Sequence, residues 1–122
     1  MTPQSCKAKG RVLQKMVRDL ILMMFPGLEP DDVKSTSMGA SGEDVQLSPA
    51  ARKILPYQIE CKNKAKHAIY THYEQAKTHG KYEPLLIVKQ DRKEPLAVVS
   101  LEHFIKLIQE KNNNANSSNN TK

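Results

Sequence analysis

Three residues have side chains that can do chemistry together if the fold brings them close: Asp44, Glu60 and Lys62. Glu60 and Lys62 lie two apart in Tyr57-Gln58-Ile59-Glu60-Cys61-Lys62. Read as a strand, this stretch sends Tyr57, Ile59 and Cys61 to one face and Gln58, Glu60 and Lys62 to the other. Upstream, Gly42-Glu43-Asp44-Val45-Gln46-Leu47 repeats the alternation, with Asp44 and Gln46 opposite Val45 and Leu47. Paired strands then bring two carboxylates and an ammonium to one point. Phosphodiester hydrolysis uses such a set: hard oxygens to hold Mg²⁺ or Mn²⁺, and a nearby cation to orient water or offset charge on phosphorus. The expected metal ligands are Asp44, Glu60 and the backbone carbonyl of Cys61, with Lys62 as the catalytic cation.

The pattern has bland competitors. Glu-x-Lys arises by chance about 0.4 times in a chain of this length, and its ordinary reading is a surface charge pair. Exposed charges on a non-catalytic binding module are the alternative, and the residues alone leave it open. The loop 35–42, rich in small residues and carrying Gly39 and Gly42, permits close approach of a phosphate or forms a plain hairpin turn. It is no Walker loop, since no Gly-Lys-Ser/Thr follows. Ser37, Ser41 and Asn63 flank the expected site and are candidate phosphate contacts. His67, His72 and His79 are spaced five and seven apart, which stacks no zinc pair on a helix face. Cys61 has no activating histidine nearby in sequence, so it is not expected to be a nucleophile. Tyr70, Tyr73 and Tyr82 can stack on unpaired bases or simply pack.

Positioning these groups falls to a mixed set of elements. Apolar residues at helical spacing predict a first helix over 9–25, ended by Pro26-Gly27. A short strand follows near 33–37. Ser48-Pro49 starts a short helix over 48–55, and 64–79 reads as another helix ended by Gly80. The run 85–89 suits a strand covered on both faces, and 96–99 its hairpin partner. Ser100 caps a last helix expected to turn Leu101, Phe104, Ile105 and Ile108 inward. Residues 1–8 form an expected flexible lead, 9–111 the domain, and the Asn/Ser-rich 112–122 an expected disordered tail. The fold class is α/β, a central mixed sheet flanked by helices.

The chain has 122 residues, enough for one domain, and 39% hydrophobic residues support a modest core. No apolar run approaches the roughly 20 residues of a membrane span. The N-terminus has no signal-peptide pattern, so a cytoplasmic protein without membrane partners is expected. For a viral chain that means the host's cytoplasm. A formal net charge of +6 fits a polyanionic partner such as DNA. Lys9 and Arg11 open a basic run along the first helix, read either as phosphate contacts or as a solvated face.

The segment from Gly39 through Asp44 and Pro56 to Ile59-Glu60-Cys61-Lys62-Asn63 resembles the PD-(D/E)XK nuclease superfamily. It is most similar to the small phage-type members and the archaeal Holliday-junction resolvases. Asp44, Glu60 and Lys62 match the three signature positions, and the signature proline is Glu43 here. Lys9-Gly10-Arg11 with Gln14 resembles the opening of small phage nucleases. Gln14 takes the place of a metal-proximal glutamate, and Gln75 matches a glutamine on the helix after the signature strand. The resemblance spans roughly 9–108. It implies a single-domain restriction-endonuclease-like fold and a Mg²⁺- or Mn²⁺-dependent DNA endonuclease leaving a 5′-phosphate. It also implies a homodimer for paired cuts, acting on branched DNA or else nicking duplex.

Overall fold

The alternation in 57–62 does form a strand, and the sheet is assembled around it. A computed structural model describes residues 3–36, 42–66 and 68–120, with side chains described over 8–36, 42–66 and 68–114. Its strands are β1 (Val33–Ser35), β2 (Val45–Leu47), β3 (Tyr57–Asn63), β4 (Glu83–Lys89) and β5 (Leu96–Val98), in that spatial order. Four helices accompany them: α1 (Pro3–Met24), α2 (Pro49–Ile54), α3 (Ile69–Lys77) and α4 (Leu101–Asn120). β3 and β4 run parallel, which requires the crossover through α3, while the other neighbours are antiparallel. Among the described residues this is one α/β domain with a five-stranded mixed sheet. No described helix is long and apolar enough to cross a membrane.

The core lies between α1 and one sheet face. Leu13 of α1 meets Val33, Val45, Ile59 and Cys61, all buried, and Val17 and Ile21 pack against the same cluster. α3 covers β3 and β4 on the opposite face. Ser48 caps α2 by accepting the Ala51 N–H and donates its hydroxyl to Asp32 at 2.6 Å, tying α2 to the turn before β1.

Gln58 locks the α3–β4 connection to the sheet. Its buried amide donates to the Ala76 carbonyl and accepts the Tyr82 N–H, each at 3.0 Å. Gly80 sits at φ +152 directly over that amide, and a Cβ there overlaps Gln58 Oε1. Both ends of the amide are already engaged, so it has nowhere to move. We expect Gly80→Ala to destabilise the chain by about 2 kcal/mol, from backbone strain and a disturbed buried amide, as measured by urea unfolding.

Four sequence expectations change. α1 starts at Pro3, so residues 3–8 belong to the helix rather than to a flexible lead. α4 runs to Asn120, through the Asn/Ser-rich stretch expected to be disordered. α3 is shorter than 64–79: it runs from Ile69 to Lys77, the Lys64 N–H still bonds the Lys89 carbonyl beside β3, and residues 78 and 79 form a turn. The apolar stripe of α4 is not inward: Leu101, Phe104, Ile105 and Ile108 are exposed, and of these Leu101 borders a pocket shared with Ile69, Tyr73 and Val98.

Candidate active site

Asp44 sits just ahead of β2, where its backbone is clipped on both sides. Its N–H donates to the Ile59 carbonyl, and its own carbonyl accepts the N–H and hydroxyl of Thr36. Gly42 turns the chain into this position at φ +99, a left-handed conformation that glycine adopts without penalty. Next to it Glu43 is held by Arg52, which also donates to the Tyr57 carbonyl and stacks over the Tyr82 ring. The backbone of 43–44 is therefore fixed against the start of β3.

From there the Asp44 side chain reaches along β3. Its Oδ2 accepts the Cys61 N–H at 2.8 Å, where a longer β2 would have placed a backbone carbonyl. N–H and C=O of one strand residue leave on the same edge, so the Cys61 carbonyl emerges on the Asp44 side too. Glu60 is only 5% exposed, under α3. Its carboxyl group lies within hydrogen-bonding reach of Asp44. Lys62 Nζ stands 3.6 Å from Glu60 Oε2, one pleat along the same face. The side chains of Asp44, Glu60 and Lys62 do converge.

Burial, then the Asp44 charge and the hydrogen bond that the protonated carboxyl donates to Asp44, push Glu60 up to about 7, against the opposing pull of Lys62. α3 makes the polar face of β3 an interior one at Glu60. Cys61 points into the α1 core, where burial and then the two carboxylates push its thiol well above the ordinary range. A protonated, enclosed thiol is no nucleophile, as the sequence led us to expect.

The donor set suits a hard divalent cation. Two carboxylates and a strand carbonyl supply oxygens for Mg²⁺ or Mn²⁺, which keep several waters. Among the described residues no cluster of three or more His, Cys, Asp or Glu side chains is placed to hold a metal.

His79 joins the site unannounced. Its Nε2 lies 3.5 Å from Glu60 Oε1. A signal for it was present: in the helix read over 64–79, His72, Ala76 and His79 fall at i, i+4 and i+7, one stripe, and although α3 ends at Lys77, both His72 and Ala76 are buried against the sheet. Comparing the histidines only with one another hid that stripe.

Other expected residues land elsewhere. Gln14 is buried (2% exposed) in the α1 layer, on the sheet face opposite Glu60. Gln75 is exposed on α3, with Oε1 3.3 Å from His72 Nδ1 rather than at the carboxylates. Asn63 ends β3 on the α1 face, paired in register with Lys89, so it does not share the face of Glu60 and Lys62. Its Oδ1 is buried without a hydrogen-bond partner among the described residues. Lys9 bonds Asp91 at 2.6 Å across the β4–β5 turn, which ties α1 to the sheet. Arg11 is exposed on α1. Ser37 and Ser41 lie outside the described residues. Compared with family models, with curated proteins and with solved structures, the chain finds no match.

Proposed function

We propose that the chain is a Mg²⁺- or Mn²⁺-dependent DNA endonuclease with a restriction-endonuclease-like arrangement. One observation carries this reading: Asp44, Glu60 and Lys62, far apart in sequence, come together at the β2–β3 junction. Two facing carboxylates, one of them buried, are an expensive arrangement for stability alone. A shared cation offsets the repulsion that the fold leaves between them.

Asp44, Glu60 and the Cys61 carbonyl would hold the ion. A divalent cation bound there supplies Lewis-acid stabilisation of the charge that builds on the phosphate. Cys61 N–H keeps the Asp44 carboxylate oriented along β3. Lys62 donates hydrogen bonds to the attacking water or to a non-bridging phosphate oxygen. Water adds to phosphorus, the P–O3′ bond breaks, and the products are a 5′-phosphate and a 3′-hydroxyl. The net charge of +6 supports DNA as the polyanion. Branched DNA is the first substrate to test and ordinary duplex the second.

The test is a cleavage panel on duplex, single-stranded, flap and four-way DNA with Mg²⁺, with Mn²⁺ and with chelator. Cleavage should require the metal, and Lys62→Ala should lower its rate about 100-fold. Metal-independent binding with no cleavage of any substrate by the wild type would favour the non-catalytic binding module instead.

A further inference from the structure

Positive charge is concentrated around α3. Residues 62–82 carry Lys62, Lys64, Lys66, Lys77 and Lys81 against Glu74, a net of +4 in a chain of +6. The outer face of α3 also carries Tyr70, 86% exposed, and Tyr73, half-buried, which at a spacing of three are neighbours on the helix surface. Two cavities follow that face. One, of about 270 Å³, lies between the two tyrosines and the chain from Val98 to Leu101. The other, of about 410 Å³, lies between Tyr73, Lys77, Lys81 and the start of β4. They share Tyr73 and Ser100, and so make one groove between α3 and the N-terminus of α4.

We infer that this groove holds an unpaired DNA strand, so that the substrate is a flap or strand end joined to duplex. What is done to that strand rests on the nuclease reading; its binding rests on the groove alone. Tyrosine rings stack on bases whose faces are open, and a fully paired duplex hides those faces. The lysines supply point charges for the phosphates between the bases. An acidic peptide would use the lysines and leave the tyrosines idle.

The remaining groups fit this occupant. Lys77 is held by Glu74 at 3.3 Å in an exposed pair, which a phosphate displaces at little cost. Ser100 Oγ accepts the His103 N–H and can donate its own proton to a phosphate oxygen. Among the described residues Glu83 is the one acid lining the groove, and it faces His103 at 3.8 Å. Tyr82 takes no part in stacking, since Arg52 lies over its ring at 4.2 Å. The groove reaches Gly80, and the residue before it, His79, stands 3.5 Å from Glu60 Oε1. A strand in the groove is thereby led toward the carboxylates.

The test is binding of a labelled oligothymidylate of about 12 nucleotides to the full chain, read by fluorescence anisotropy in chelator. It should bind at least about 10-fold more tightly than a blunt duplex of equal length. Tyr70→Ala with Tyr73→Ala should weaken it about 30-fold, and Tyr73→Phe, which keeps the ring, should bind as the wild type does. Tyr70→Ala alone, at a position too exposed to disturb the fold, should cost at least about 5-fold. Lys77→Gln with Lys81→Gln should reduce the slope of log affinity against log salt by about 1.4. With Mn²⁺, a flap should be cut faster than blunt duplex, and Tyr70→Ala should remove that preference without slowing duplex cutting. Equal affinity for strand and duplex, displacement of the strand by polyglutamate, or tyrosine variants that bind like the wild type would each overturn the groove assignment. Tight, tyrosine-dependent strand binding without cleavage in any metal supports the groove and removes the nuclease reading instead.

Discussion

Asp44→Asn is expected to lower metal-dependent DNA cleavage by about 1,000-fold or more while leaving DNA affinity nearly unchanged. The substitution is chosen to spare the fold. Asparagine keeps a side-chain oxygen to accept the Cys61 N–H, so the clip between β2 and β3 survives. What it removes is one of two anionic ligands and the charge opposite Glu60. A loss of DNA binding parallel to the loss of cleavage would mean that Asp44 serves the interface rather than the reaction. Cleavage that persists at wild-type rate would remove Asp44 from the site altogether.

The second large effect concerns stability. Glu60 has a folded pKa of about 7 against an ordinary 4.5. Between those values the folded chain holds a proton that the unfolded chain has released. Stability therefore falls as pH rises through that window, by roughly 3 kcal/mol at its upper end. Glu60→Gln cannot titrate and can still hydrogen-bond Asp44. It should match the wild type below pH 4.5 and exceed it by roughly 3 kcal/mol above pH 7, as read from urea unfolding at a series of pH values. Added Mg²⁺ should narrow the gap by stabilising the wild type alone. A variant less stable than the wild type at pH 8 would show that the pair is not under electrostatic load. A buried carboxyl that lowers the stability of its own fold fits the proposed role of a group held for chemistry.

The alternation of 57–62 was enough to find β3 and to set Cys61 on the core face, because a period of two fixes which residues share a side. It could not tell whether the Glu60 face meets water or a helix. That depends on the parallel pairing of β3 with β4, whose crossover lays α3 over Glu60. The residues 85–89 read as a strand covered on both faces, but only the face of Leu86 and Val88 is buried, while Leu85 and Ile87 on the α1 side stay half-buried. Helical spacing likewise marked Leu101, Phe104, Ile105 and Ile108 as a face needing cover without saying what supplies it. Glu43 bonding Arg52, and Lys9 bonding Asp91, are long-range pairs that no local pattern encodes. Both join separate elements of the fold. His79 could have been found by its stripe with His72 and Ala76.

The central claim, that Asp44 and Glu60 share one divalent ion beside Lys62, is tested most directly by titrating Mn²⁺ into isotope-labelled protein and following amide resonances. The amides of Asp44, Cys61 and Lys62 should broaden first, at about one ion per chain, and Asp44→Asn should abolish that selectivity. Uniform broadening, or broadening centred on other residues, would contradict the account.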